Sequence, residues 1–170
     1  TTFSISTWVK EWPDGNWEPF VSKDGEGGRG WSLRRYNNSG NQINFCIRNT
    51  SGNDDWPITT NVNDNNWHHL AAIRTTTYRK LYVDSVLLGT ETETGTPGTG
   101  ASQMVFGARD QSNNAGNPPS VTWHSNIWLD DVRFYDASLT DADVAAIYGN
   151  GQGDNPTLPE DMPSVITSPL

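Results

Sequence analysis

The residues best suited to chemistry in this chain are its tryptophans, which number eight in 170 residues. Several of them lie outside the clear strand patterns and have polar neighbours. An aromatic ring suits the C–H-rich face of a sugar, and nearby amides or carboxylates can bond to its hydroxyl groups. The pattern predicts a carbohydrate-binding surface carried by loops, unless each loop tryptophan only covers the fold. The candidate ligand-binding residues are Trp12, Trp56, Trp123, Asn53, Asp54 and Asp55.

Acidic and amide side chains in turns suggest a second chemistry, the binding of Ca2+. Calcium takes about six to eight oxygen ligands from flexible loops. Asp24, in a glycine-rich turn, could join Asp130 in one such site, and Asp110 could join Asn113 and Asn114 in another. The chain has no EF-hand spacing, and acidic turns without metal are the alternative.

The other carboxylates do not form the pair that a glycosidase needs on one face of a strand. Asp130 and Asp131 are adjacent, so a strand directs them to opposite faces. Glu91 and Glu93 do alternate, but they precede a segment of glycine, threonine and proline. No glycine-flanked serine elbow is present either. The sequence therefore predicts a binding protein and not an enzyme.

Two further side-chain types favour structural roles. His68 and His69 are adjacent on a predicted strand, so they face opposite ways and cannot hold one metal together. Cys46 is the single cysteine and cannot form an internal disulfide. It lies in an alternating apolar run and is expected to be an ordinary strand residue.

Composition and charge indicate which partners and which class of secondary structure to expect. The net charge of −9 disfavours nucleic acids and anionic membranes as partners, because both need clustered lysine and arginine. No apolar run approaches the roughly 20 residues of a membrane span. The 16 glycines and 10 prolines, with few helix-forming residues, predict short strands joined by polar turns.

Apolar alternation predicts most of the elements of an all-β fold. One helix is expected over residues 141–148, because Thr140 can cap it, Asp143 can complete a capping box, and Gly149 can end it. The expected strands are 3–10, 17–23, 30–36, 42–48, 66–74, 79–88, 104–109 and 127–135.

Seven segments in order resemble the laminin G-like branch of the concanavalin A-like lectin/glucanase superfamily. The segments are FSISTWVK, FVSKDG, GWSL, NWHHLAAIR, KLYVDS, MVFGAR and LDDVRFYDASLTDADVAAIY. The resemblance implies a jelly-roll sandwich of two antiparallel sheets over residues 1–151, often with a calcium site. It also implies that Trp8, Trp31 and Trp67 are core residues, and that one of the two histidines is buried and hydrogen-bonded.

The sequence departs from that pattern in three places, one of which is Ile127, where a small residue is usual. The hairpin tip usually reads Asp-Gly, whereas here it is Asp84-Ser85, which predicts either another turn type or mild strain. The family normally has one or two strands before the first strand of this chain, so an edge of one sheet is expected to be open. Residues 152–170 read as a linker followed by the start of an immunoglobulin-like domain.

The leading hypothesis is a non-catalytic carbohydrate-binding module of a larger extracellular protein, covalently linked to neighbouring domains. Its expected partner is a glycan or polysaccharide, with calcium shaping the rim of the site. Two alternatives are a protein–protein adhesion module that uses the same loops and a structural spacer in a multidomain surface protein. The exposure and the contacts of the loop tryptophans should distinguish these readings.

Overall fold

The computed structural model describes residues 1–10, 17–24, 30–36, 41–49, 52–60, 62–93, 97–98, 102–110 and 121–149, with the backbone alone for residues 49 and 52–54. This part of the chain forms thirteen strands and one helix. The elements are β1 (Phe3–Lys10), β2 (Pro19–Lys23), β3 (Trp31–Arg35), β4 (Gln42–Asn49), β5 (Gly52–Asp54), β6 (Pro57–Thr59), β7 (His68–Arg74), β8 (Tyr78–Val83), β9 (Val86–Thr92), β10 (Val105–Phe106), β11 (Arg109–Asp110), β12 (Val121–Thr122), β13 (Trp128–Tyr135) and α1 (Asp141–Tyr148).

The strands form two larger antiparallel sheets and one small ladder. The first sheet has the order β13-β1-β7-β8-β9. The second sheet has the order β10-β2-β3-β4-β5, with β6 also paired to β4, and β11 pairs with β12 by itself. The predicted fold class, all-β with two antiparallel sheets and one short helix near the C-terminus, is confirmed. None of the helices in the described residues is long and apolar enough to cross a membrane.

The strongly alternating segments all contain strands close to the expected positions. The strands β5, β6 and β12 were missed, because they lie in segments that the sequence predicted as polar loops. They are only two or three residues long and pair mainly through backbone groups, so they need no apolar alternation. Residues 152–170, the predicted linker and next domain, lie outside the described residues.

Both faces of the first sheet are covered around β1. Its residues are buried from Phe3 through Val9, which explains why Ile5 and Trp8, on opposite faces, are both apolar. One face carries an apolar cluster that includes the helix. Its members are Ala71, Ile73, Tyr82, Tyr135, Leu139, Val144 and Ile147.

The helix α1 begins and ends where the sequence predicts. The Thr140 side chain accepts a hydrogen bond from the Asp143 backbone N–H, and the Asp143 carboxylate accepts one from the Thr140 backbone N–H. Gly149 ends the helix with φ of 58°. Leu139 and Val144 enter the apolar cluster on either side of the cap, which fixes the helix against the first sheet.

The hairpin between β8 and β9 keeps the tight turn despite its serine. Asp84 and Ser85 both have positive φ, at 49° and 64°, so the strain that the sequence suggested falls on Ser85. Asp84 fixes this turn to β7. Its carboxylate accepts a hydrogen bond from the His69 backbone N–H at 2.9 Å and lies 2.7 Å from Nδ1 of His68.

The expectations about Trp67 and about the two histidines that follow it need correction. Trp67 was expected in the core but is 42% exposed, because the paired register of β1 and β7 ends at His68 and Trp67 lies beyond it. The buried histidine was expected to be the hydrogen-bonded one. Instead the His69 ring is buried without a hydrogen-bond partner among the described residues, and the half-buried His68 makes the bond to Asp84.

Trp8 is buried and Trp67 is exposed, so replacing each with alanine should reduce stability to different extents. Trp8→Ala should reduce the free energy of unfolding by about 3–5 kcal/mol, since Trp8 is only 7% exposed and lies against other rings. Trp67→Ala should cost less than about 1 kcal/mol. Chemical denaturation of both variants measures this, and equal losses would contradict the structure.

Candidate functional site

The second sheet has one apolar face and one polar face. Antiparallel pairing sets Ser32 opposite Cys46 and Arg34 opposite Asn44, and Arg48 follows two residues after Cys46. These alternating positions share one face, which we call the polar face. The intervening residues form the apolar face and are buried. They include Trp31, Leu33, Ile43, Phe45 and Ile47.

An aromatic ring, a guanidinium group and a carboxylate are stacked in order at one place on the polar face. The Cζ atom of Arg34 lies 4.7 Å from the centroid of the Trp17 ring. The same guanidinium group donates a hydrogen bond to Asp55 at 2.6 Å, and Asn44 donates another to that carboxylate at 2.7 Å. Tyr36 meets Trp17 edge-on at 4.8 Å between centroids. Trp17 is therefore held in a defined orientation.

A second stack of the same composition reaches the polar face from β11. The Cζ atom of Arg109 lies 4.7 Å from the centroid of the Trp123 ring. Nε of Arg109 is 3.7 Å from the carboxylate of Asp24, and Nε of Arg48 is 3.0 Å from it. Asp24 is only 1% exposed, whereas Trp123 is 38% exposed. The buried ion pairs thus support a ring that reaches solvent.

The two stacks form one charged network. The Asp24 carboxylate interacts electrostatically with Arg48, Arg109 and Arg34, and also with Asp55. Burial raises the pKa of Asp24 despite these arginines. Burial also acts to raise the pKa of Asp55, but Arg34 and the hydrogen bonds donated by its neighbours outweigh it and lower that pKa. Three guanidinium groups therefore face two carboxylates.

The thiol on this face has no reactive character. Cys46 is buried in the centre of the polar face, and burial raises its pKa to about 12. A thiol with that pKa stays protonated at neutral pH and is a poor nucleophile. The prediction that Cys46 is an ordinary buried strand residue agrees with this position.

Both stacked tryptophans have backbone in the left-handed region, with φ of 56° at Trp17 and 51° at Trp123. That conformation costs a residue with a side chain about 1–2 kcal/mol. Strain of this kind persists only where the surroundings impose it, and it is often found at functional sites. The arginine stacks, with the edge-on contact of Tyr36 at Trp17, are described contacts that orient these rings.

The polar face includes some of the predicted ligand-binding residues. Asp55 and Trp123 belong to the two stacks, and Trp56 is half-buried beside them, with its backbone N–H donating to Asn44 at 2.8 Å. Asn53 and Asp54 lie in β5, but their side chains are not described. Trp12 lies outside the described residues. Asp55 is bonded to Arg34 and Asn44, so its main role is to position them.

Sequence reasoning missed Trp17 and the three arginines of the network. Trp17 stands at the edge of a predicted strand and was not included among the predicted ligand-binding residues. Arg34 and Arg48 each follow apolar residues in a strand, and this alternation was a sign that one face of the sheet is polar. No local pattern relates Arg109 to Asp24, because 84 residues separate them along the sequence.

The predicted calcium ligands have other partners in the structure. Asp24 faces two arginines, which would oppose a cation. The Asp110 carboxylate is buried and accepts a hydrogen bond from the Gln103 backbone N–H at 3.0 Å, while that of Asp130 accepts one from the Asp131 N–H at 2.8 Å. Asn113 is outside the described part of the chain. Within that part, no three acidic, histidine or cysteine residues are grouped to hold a metal. Calcium binding stays a prediction.

The network predicts a large effect of removing one charge. Asp24→Asn keeps the shape of the side chain but leaves Arg48 and Arg109 facing a neutral amide. Breaking a buried ion pair costs about 3–5 kcal/mol, so this variant should lose about that much stability in chemical denaturation. Asp136→Asn is the matched control, since it removes the same charge from an exposed site and should change stability by under about 0.5 kcal/mol. A similar small effect for both variants would contradict the assigned ion pairs.

Comparison with solved structures shows the same fold in bacterial toxins. The binding domain of Paraclostridial Mosquitocidal Protein 1 superposes with a TM-score of 0.65 at 16% identity, covering 87% of this chain and 37% of that one. A structure of botulinum neurotoxin type C, whose cell entry is described as dependent upon interaction with two ganglioside molecules, superposes with a TM-score of 0.65 at 17% identity. The match covers 89% of this chain and 36% of that one. The binding domain of botulinum neurotoxin DC in complex with SialylT gives 0.64 at 15%, covering 89% and 36%. This chain thus spans little more than a third of each.

The comparison of sequences gives a family. No curated protein matches the chain. A laminin G family model, described as the concanavalin A-like lectin/glucanases superfamily, matches residues 1–145. That range includes β1 through β13 and most of α1. The resemblance seen in the sequence is confirmed, and the chain belongs to the laminin G-like family of the concanavalin A-like lectin/glucanases superfamily.

Proposed function

We propose that this chain is a non-catalytic carbohydrate-binding module of a larger extracellular protein, with its ligand on the polar face of the second sheet. The observation that carries the proposal is the pair of tryptophans with left-handed backbone, each stacked on a buried arginine. A sugar ring stacks on Trp123 first, because that ring reaches solvent, and the ligand extends toward Trp17 and Trp56.

The arginine stacks explain how the tryptophan rings would bind a ligand at little cost in side-chain conformational entropy. One face of each indole is occupied by a guanidinium group. Trp123 is 38% exposed, so its ring still offers surface to a ligand. Each guanidinium group is in turn fixed by a carboxylate, so the ring orientation is set before a ligand arrives. Preorganisation of this kind increases affinity by reducing the ordering cost of binding.

The placement of the carboxylates supports binding over catalysis. A glycosidase needs one carboxyl group free to give a proton and another free to attack or activate water. On the polar face, Asp24 and Asp55 are both engaged by arginines. On the first sheet, Glu91 pairs with Arg79 and Glu93 pairs with Arg74. These pairings hold the carboxylates in structural roles.

The similar toxin domains support a glycan as the partner. They share the fold with this chain, and one is described through its interaction with gangliosides and another through its complex with SialylT. The identities of 15–17% support a shared architecture, and the choice of ligand must come from the site itself. The polar face has the aromatic rings and hydrogen-bonding groups that such a ligand needs.

Replacing a stacked tryptophan should weaken binding more than it weakens folding. Trp123→Ala should lower affinity for a bound oligosaccharide by about 1–3 kcal/mol, on the scale of aromatic–base stacking. The dissociation constant would rise about tenfold to a hundredfold. Calorimetric titration with neutral and acidic polysaccharide fragments measures this, and Trp17→Ala and Trp56→Ala test the extension of the site.

Trp128→Ala is the matched control, because Trp128 is 62% exposed but belongs to β13 of the first sheet. It should leave affinity unchanged. Thermal melts of every variant show whether a loss of binding is a loss of folding. If no fragment binds the parent protein, or if Trp128→Ala has the same effect as Trp123→Ala, the proposed site is wrong and the adhesion or spacer function takes its place.

We retain calcium as a proposed cofactor at the rim of the site, with its own test. A metal bound by the folded state alone stabilises that state. EDTA should therefore lower the melting temperature, by about 2–4 °C for each kcal/mol of binding energy in a protein of this size. An unchanged melting curve, with no metal in elemental analysis, would remove calcium from the proposal.

A further inference from the structure

A buried histidine lies between the first sheet and the end of the helix. The ring of His69 is 5.4 Å from that of Trp8 and 6.0 Å from that of Tyr148, measured between centroids. Trp8 and Tyr148 stack on each other at 5.7 Å. His69 is 1% exposed, and neither of its ring nitrogens has a hydrogen-bond partner among the described residues. A proton on this ring would therefore be a buried charge with no hydrogen-bond acceptor among the described residues at either nitrogen.

The elements packed around His69 supply few groups that could stabilise such a charge. From the β8–β9 turn, the Asp84 carboxylate favours protonation of His69, although its hydrogen bonds go to the His69 backbone N–H and to the His68 ring. From β13, the carboxylate of Asp131 favours protonation, while Arg133 opposes it and pairs with Asp131 at 2.6 Å. From β1 and α1, the contacts to the ring are aromatic. Burial dominates and lowers the pKa of His69 to about 4 from 6.5.

We propose that His69, with Trp8 and Tyr148, is an acid-sensitive latch that holds the C-terminal end of α1 on the first sheet and loosens when the imidazole is protonated. Tyr148 is the last residue of the helix, so release of its ring frees the C-terminal end of α1. The N-terminal end has separate attachments, since Asp141 accepts hydrogen bonds from Tyr82 at 2.6 Å and from Lys80 at 3.1 Å. The latch lies on the first sheet and is independent of the proposed carbohydrate site on the second.

The sign of the pH dependence follows from the two protonation states. With the helix released, His69 is exposed and regains the ordinary pKa of about 6.5. The released state therefore binds a proton more readily, and acid favours it through the window from about 6.5 down to about 4. The full difference of about 2.5 pKa units corresponds to roughly a 300-fold change in the docking equilibrium. Between pH 7 and pH 4.5 the expected change is about 50-fold.

Hydrogen–deuterium exchange with mass spectrometry tests this directly. After correction for the intrinsic pH dependence of exchange, a peptide spanning residues 139–149 should lose about 50-fold in protection between pH 7 and pH 4.5. Peptides from β3 and β4 in the same protein should keep their protection. His69→Phe removes the titrating group and keeps a buried ring, so the loss of protection should disappear. His69→Gln serves the same purpose if the larger ring does not fit.

Matched variants separate the latch from other effects of acid. His124→Phe removes an exposed histidine and should keep the full response. His68→Gln should also keep it, because His68 is half-buried and already bonded to Asp84. A helix peptide that keeps its protection at pH 4.5 would overturn the proposal. An equal response in both His69 variants, or loss of protection in all peptides together, would do the same.

Discussion

The arrangement of the second sheet depends on the pairing of buried arginines with carboxylates. A buried guanidinium group is costly unless acceptors surround it, so Arg34 requires Asp55, and Arg109 and Arg48 share Asp24. Once these pairs are made, the flat guanidinium groups support Trp17 and Trp123. The position of the aromatic rings is thus a consequence of satisfying buried charge. This constraint also explains why carboxylates that resemble ligands in the sequence have positioning roles.

The two sheets differ in how they bury their side chains. The first sheet buries apolar side chains on both faces around β1, and its helix covers one of those faces. It has the features of a stable framework, including the aromatic contacts of His69. The second sheet has one apolar face and one polar face, and Trp17 and Trp123 stack on arginines at the polar face.

The elements that were predicted well are those whose signals are local. The helix α1 follows from Thr140, Asp143 and Gly149, which act within one turn of each end. The strands β1 and β7 follow from apolar alternation over seven or eight residues. The short strands β5, β6 and β12 escaped prediction because their pairing relies on backbone groups of neighbouring strands. Trp67 was misplaced for a related reason, since its exposure depends on where the pairing of β1 with β7 ends.

The sequence by itself determined the all-β class, the helix with its caps and the family, and it indicated which aromatic and polar side chains to consider as a binding site. These depend on residue type and on spacing along the chain. The tertiary structure alone decided which side chains meet: Arg109 with Asp24, Trp123 over Arg109, and His69 against Trp8 and Tyr148. The physical reason is that strand pairing and burial bring together residues that are distant in sequence. Only in that setting do the charge of a partner and the loss of water decide the role of a side chain.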